Sequence, residues 1–321
     1  MSRITCLIVS AFFTTVLFAQ TTKSVKVTSK TATTPKQVTP RILKDLRDSV
    51  SYTAGIHLIN KYRSQNIYNF NGAAVARCVN DLQSNKPQLI SNSSADSAVI
   101  AYQNLLLRNP KAATKAPVPG VALNDVRDSA SYAAGIYLIN FFREFDITNF
   151  NSEIISRAIN DLQTQKKPLL NDSLANMVAM RYQYKQQEIK NKPNIDAGKK
   201  FLAENKKKPT VKVTKSGLQY EVITMGTGKK PSKNDKITCN YTGAYIDGTE
   251  FNNSYKMGGP ISFTVDGVIK GWTEALLMMP VGSKWKLYVP YHLGYGPGQY
   301  QTIPGGSALI FEIDLLAIEG K

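Results

Sequence analysis

Histidine is nearly missing from this 321-residue chain, which has two, and cysteine occurs only three times. Metal centres draw on clusters of these side chains, so no metal site is expected. No cofactor is expected either: Gly294, Gly296 and Gly298 do not lead from a strand into a helix, as a nucleotide-binding loop would require. Cys78 and Cys239 occupy apolar positions in different predicted domains, which suits small buried hydrophobes better than a disulfide. His57 is answered by Tyr137 in an internal repeat and reads as packing, and His292 has no nucleophile or base near it in sequence. Long apolar runs are also scarce. The one at residues 4–18 follows Arg3 and precedes Ala19, and is shorter than the roughly 20 residues that span a bilayer. It reads as a secretory signal peptide over residues 1–19, which predicts an exported protein, periplasmic, outer-envelope associated or secreted. Acid is in deficit as well, with 23 Asp and Glu against 40 Lys and Arg, a formal charge of +17. The lysines are spread over tails, helices and loops without a nucleic-acid-binding signature, so a solvated basic surface is expected and a nucleic-acid partner is not.

What is present is 42% hydrophobic residues, enough for real cores. Residues 20–42, rich in Thr, Lys and Ser, have nothing to pack and read as a flexible tether. A duplication follows. RDSVSYTAGIHLIN at 47–60 recurs 80 residues later as RDSASYAAGIYLIN at 127–140, and the register holds through Asn69-Phe70-Asn71 and Asn80-Asp81-Leu82-Gln83. Each copy reads as helical. Asp48 or Ser49 is placed to cap a helix on which Tyr52, Ile56 and Ile59 share a face, as do Tyr132, Ile136 and Ile139. A second helix is expected over 72–83 and 152–163, and a third after Pro87 and Pro168. Gly55 and Gly135 each cost a helix interior about 1 kcal/mol relative to Ala, which points to a close crossing. The copies are assigned to 43–108 and 124–176, with a linker at 109–123. A long exposed connecting helix, broken near Pro193, is assigned to 177–208.

Residues 209–321 change period. Ile237, Cys239 and Tyr241 alternate with polar residues, as do Ile261, Phe263 and Val265, and Leu309, Phe311 and Ile313, with Gly-rich turns between them. In VIKGWTEALLMMPVGSKWKLYVP (268–290), Ile269, Trp272, Ala275 and Leu276 recur at helical spacing. After Pro280 and Gly282, Trp285, Leu287 and Val289 alternate with Lys284, Lys286 and Tyr288 as a half-buried strand. The fold class is therefore multidomain: all-α helical repeats, then an α+β domain in which an antiparallel half-barrel sheet wraps one short helix.

The last domain, with YTG at 241–243, DGTEF at 247–251, VIKGW at 268–272, GYG at 294–296 and LIFEI at 309–313, resembles the FKBP-type peptidyl-prolyl isomerases. The helical repeats and the join at 203–220 resemble the members of that family of the macrophage infectivity potentiator type. The resemblance implies peptidyl-prolyl cis–trans isomerase activity assisting the folding of exported proteins, with a non-catalytic chaperone or peptide-binding module of weakened activity as the alternative. It implies proline-containing polypeptide clients and macrolide immunosuppressants as a further ligand class. It also implies pocket walls at Tyr241 and Phe251, Val268 and Ile269 ahead of the helix with the Ile269 N–H anchoring a substrate carbonyl, and Trp272 as floor. Tyr295 would bond a substrate carbonyl through its hydroxyl, Ile303 and Phe311 would complete the lining, and Ile261 and Tyr300 would be secondary substrate contacts. Asn252 departs from the Asp usual in the family; it still accepts a hydrogen bond but carries no charge, which predicts lower activity or ligand affinity. Relatives dimerise through their helical domain. Two copies in one chain predict a monomer with an internal pseudo-dimer, against a homodimer as the alternative, because the linker gives internal pairing an effective concentration of roughly millimolar order.

Overall fold

A computed structural model describes residues 43–114 and 123–320; the leader, the tether and part of the linker read from the sequence lie outside them. The chain divides into two compact units, a helical one up to residue 186 and a sheet-based one from Gln187 onward.

The helical unit contains α1 (Leu46–Arg63), α2 (Gly72–Gln83) and α3 (Asn92–Arg108), then α4 (Val126–Arg143), α5 (Ser152–Gln163) and α6 (Asp172–Lys190), whose last turn enters the second unit. The caps of α1 and α4 are Asp45 and Asp125, not the later Asp48 or Ser49. Asp45 accepts the N–H of Asp48 at 2.8 Å, and Asp125 that of Asp128 at 2.7 Å. Asp48 in turn accepts the N–H of Lys44, so the two carboxylates satisfy orphan donors around the first turn. This frees the other oxygen of Asp48 for a bond across the repeats.

The repeats interlock. α1 packs on α5, and α4 on α2 and α3, so each copy completes the core of the other. The polar contacts are reciprocal. Tyr52 donates to Asp161 (3.2 Å) and Tyr132 to Asp81 (3.0 Å). Asn151 Nδ2 donates to Asp48 (2.8 Å) and Asn71 Nδ2 to Asp128 (2.7 Å). The N–H of Asn151 reaches Ser51 Oγ and that of Asn71 reaches Ser131 Oγ, both at 2.8 Å. The helix glycines mark the crossings. A Cβ on Gly55 would lie 2.5 Å from Ala158 Cβ, and one on Gly135 would lie 2.7 Å from Cys78 Cβ. His57 stacks on Phe141 at 4.2 Å and faces Tyr137, its own counterpart in the second copy. Cys78 is fully buried, as is Cys239 in the other unit, and neither is in a disulfide among the described residues.

α6 corrects two of the sequence assignments. The third helix of the second copy is α6 itself, which begins at Asp172, so no boundary falls at 176. It buries Ala175, Val178 and Tyr182 rather than lying exposed throughout. The connecting segment breaks where the sequence placed the break, near Pro193: Asn191 separates α6 from α7 (Lys192–Asn205).

The second unit holds α7, then β1 (Lys212–Val213), β2 (Gln219–Thr224), β3 (Lys236–Tyr245), β4 (Glu250–Asn253), β5 (Ile261–Thr264), α8 (Lys270–Leu276), β6 (Lys284–Val289) and β7 (Leu309–Ile318). The antiparallel sheet runs β1-β2-β6-β7-β3-β4, and β5 pairs with the opposite end of β3. Alternation on the strands turns Ile237, Cys239, Tyr241, Leu287, Phe311 and Ile313 toward α8, where Trp272 is wholly buried. The sequence placed Tyr288 on the solvent face with Lys284 and Lys286. It is instead buried, because Phe201 of α7 covers it and its hydroxyl bonds the Glu221 carboxylate. The hydrogen bonds from Thr210 and Tyr288 hold the Glu221 carboxyl below the usual range. The compact unit therefore begins with the last turn of α6, not at residue 209.

Candidate active site

α8 is short because it starts after Gly267 and stops before Pro280; within it, Gly271 lets the helix settle on the sheet. A Cβ there would lie 2.8 Å from Val289. This close approach lays Trp272 among three rings that meet it nearly edge to face: Tyr241 at 5.2 Å, Phe311 at 5.3 Å and Phe263 at 6.0 Å between centroids. Such geometry sets the positive edge of one ring against the negative face of the next. Phe251 of β4 stands at 90° to Phe311, 5.8 Å away, and leans on Tyr245 at 5.1 Å.

Two polar devices hold this apolar wall. The buried hydroxyl of Tyr241 donates to Asn252 Oδ1 at 2.6 Å. The Tyr241 N–H donates to Ser254 Oγ (2.9 Å), which passes its own proton to Asn240 Oδ1 (3.0 Å). Ile269 caps α8: its carbonyl accepts the N–H of Trp272 (2.9 Å) and Thr273 (3.1 Å), while Thr273 Oγ1 ties back to the Val265 carbonyl (2.7 Å).

The segment before β7 supplies the remaining side. Tyr295 stacks on Tyr300. The N–H of Tyr300 bonds the Ile303 carbonyl (3.0 Å) and the N–H of Ile303 the Tyr300 carbonyl (2.8 Å), closing a tight turn over Gln301 and Thr302. Tyr245 reaches across from β3 to the Thr302 carbonyl at 3.3 Å.

Nine of the eleven residues singled out from sequence thus belong to one apolar cluster. Tyr241, Val268, Ile269, Trp272, Ile303 and Phe311 are buried in it, and Phe251, Ile261 and Tyr295 pack against it. Asn252 joins through Tyr241, and Tyr300 through Tyr295. Sequence reasoning passed over Phe263 and Tyr245. Phe263 was visible as one more member of the alternating ISFTV strand, two residues from Ile261, and Tyr245 lies four residues along β3 from Tyr241 on the same face. Among the described residues no group of three or more His, Cys, Asp or Glu is placed to hold a metal ion.

Residues 227–316 match the model of the FKBP-type peptidyl-prolyl cis-trans isomerases, and residues 127–222 match that of the domain amino terminal to them. The outer membrane protein MIP of Legionella longbeachae is 36% identical over 230 residues, which is 68% of this chain and 95% of the relative. The chain belongs to the FKBP-type peptidyl-prolyl cis–trans isomerases. The 22 kDa FKBP-type isomerase of Escherichia coli is 38% identical over 198 residues, 60% of this chain and 96% of the relative. The crystal structure of FkpA from Escherichia coli is 32% identical, covering 62% of this chain and 98% of that one, with a TM-score of 0.40. As an FKBP-type isomerase, the protein catalyses cis–trans isomerisation of X–Pro bonds in proline-containing polypeptides. The first helical repeat lies outside both family matches, so it is an addition to the part that carries the family signature.

Proposed function

We propose that the proline ring of a client lies over Trp272, between Tyr241, Phe251 and Phe311, with Val268, Ile269 and Ile303 closing the walls. Rotation about X–Pro must break amide resonance across a barrier of about 18–20 kcal/mol. The twisted imide has a less polar carbonyl than the planar one, so a rigid, water-poor pocket favours it over the ground state. The Ile269 N–H and the Tyr295 hydroxyl hold the flanking carbonyls, and Ile261 and Tyr300 touch the client outside the proline. Asn252 orients Tyr241 through the 2.6 Å hydrogen bond. No proton or electron need be transferred. The observation that carries this reading is the three-ring enclosure of Trp272. Isomerisation of a short X–Pro peptide by the whole chain tests it: Trp272→Leu and Tyr295→Phe should each lower kcat/KM, and wild-type rates in both would sink the pocket assignment.

The clients we infer are exported proteins, supported by the leader pattern at residues 1–19 and by a relative named an outer membrane protein. Amino-terminal sequencing of the mature protein checks this; a retained Met1 would count against export. Among the described residues no helix is long and apolar enough to cross a membrane.

The reciprocal bonds between the two repeats support a single chain that supplies both halves of its own helical pseudo-dimer. Light scattering should return the mass of one chain at every concentration, and a constant mass of two chains would overturn the reading.

A further inference from the structure

The segment carrying Tyr295 and Ile303 is anchored at both ends from behind by the junction of α6 and α7. Asn191 Nδ2 donates to the Pro297 carbonyl at 2.8 Å, and Asn194 Nδ2 to the Gly305 carbonyl at 3.0 Å. Just before Tyr295, the Tyr291 hydroxyl donates to Glu188 at 2.7 Å. The loop closes on itself through the Gly306 N–H and the Gly296 carbonyl, 3.1 Å apart. Glycine is required at this seam. A Cβ on Gly305 would fall 2.5 Å from Asn191 Nδ2, and one on Gly306, at φ +75°, would fall 2.6 Å from Ile195 Cγ1.

Asn191 is also released from the work its place in the helix would ordinarily give it. It is the N-cap of α7, where an Asn side-chain oxygen normally accepts the N–H of the second or third helical residue. Here it makes no capping bond, and Pro193, the second residue of α7, has no N–H to offer. The amide instead shares its donors between the Gln187 carbonyl of α6 (3.2 Å) and, at shorter range, the loop. The other end of α7 is secured separately. Asn205 Nδ2 donates to Gln219 Oε1 (3.0 Å) and Gln219 Nε2 to the Leu202 carbonyl (2.8 Å), on β2 rather than on the loop. Of these two sets of asparagine bonds at the ends of α7, only the first reaches the loop.

We propose that Asn191 and Asn194 are positioning residues of the isomerase: by fixing the carbonyls of Pro297 and Gly305 they hold the loop so that Tyr295 and Ile303 face the bound proline. The proposal rests on the pocket assigned above. The helix junction is then a working part of the site rather than a spacer leading to it.

The test uses the full chain. Asn191→Ala, Asn194→Ala and the double variant are compared with Asn205→Ala for kcat/KM on an X–Pro peptide, thermal midpoint, and amide hydrogen exchange at Ile303 and Gly306. The double variant should lose about five- to tenfold in kcat/KM, the scale of one or two lost hydrogen bonds expressed in the transition state. It should also exchange faster at both amides. Asn205→Ala should lower the thermal midpoint while leaving kcat/KM and those amides unchanged. Wild-type kcat/KM in the double variant overturns the proposal, as does an equal loss in Asn205→Ala, which would reduce the effect to general stability. If Tyr295→Phe and Trp272→Leu are themselves silent, the pocket assignment fails; if they are impaired while the asparagine variants are not, only the clamp fails.

Discussion

Tyr300 lies flat against Tyr295, with ring centroids 4.5 Å apart and planes inclined by 14°. The contact is between faces, so the Tyr295 ring is steadied by stacking, leaving its hydroxyl outside the contact. A residue read from sequence as a substrate contact thus supports the ring whose hydroxyl is proposed above to hold a client carbonyl.

Tyr300→Phe keeps the stack and should leave kcat/KM near the wild-type value. Tyr300→Ala removes it and should cost about two- to tenfold, the range of an aromatic pair worth ~0.5–1.5 kcal/mol. Steady-state isomerisation assays on two peptides with different residues before proline check this; equal rates for Phe and Ala would mean the stack does nothing for catalysis.

Asn252→Asp keeps the acceptor for Tyr241 and adds charge, and isomerase activity should hold or rise. Asn252→Ala removes the acceptor 2.6 Å from the buried Tyr241 hydroxyl and should destabilise the unit by about 1–3 kcal/mol. Chemical denaturation followed through Trp fluorescence measures the second effect, and peptide isomerisation the first.

Gly55→Ala tests the interlocked helices. Alanine is the better helix former by about 1 kcal/mol, but its Cβ would lie 2.5 Å from Ala158 Cβ and 2.9 Å from the Ile155 carbonyl oxygen. Overpacking of that kind costs about 1–3 kcal/mol, so net destabilisation is expected, with Gly135→Ala behaving alike against Cys78. Higher stability in either variant would show that the two copies do not cross as described.

His57 makes the helical unit acid-sensitive. Burial, with a smaller contribution from Lys61, lowers its pKa to about 4, and Phe141 and Tyr137 stack around it. The unfolded imidazole titrates near 6.5 and therefore binds a proton first as the pH falls. The stabilisation is complete above pH ~6.5, declines between there and about 4, and amounts to roughly 3 kcal/mol at most. Denaturation curves of the wild type and His57→Phe should converge in pH dependence above 6.5 and part below it; parallel curves down to pH 4 would exclude the assignment.

Much of the candidate pocket was legible because its residues sit in short, ordered signatures. VIKGW alone carries the proposed anchor and floor, and DGTEF a proposed wall beside Asn252. The strand alternation was legible too, except at Tyr288, where periodicity alone had no way to register that α7 covers the outer face of the sheet. The helical unit was legible in part. The duplication and the crossing glycines were plain, but which helix each glycine meets depends on pairing between the distant copies, as of Gly55 with Ala158 and Gly135 with Cys78. Asn191 and Asn194 carried no signal at all, since a pair of asparagines around Pro193 looks like a simple helix break.

The exchange of helices between the repeats also imposes an order on folding. Arg47 bonds the carbonyl of Phe150, 103 positions further along the chain, and Tyr52 meets its acceptor Asp161 after 109. A chain released from its N-terminus as it is made presents α1 long before α5 exists to cover it. Contacts so distant in sequence slow folding, because loop closure must come before the gain. For much of its own emergence, then, this isomerase carries the bare apolar helix of an unfinished client.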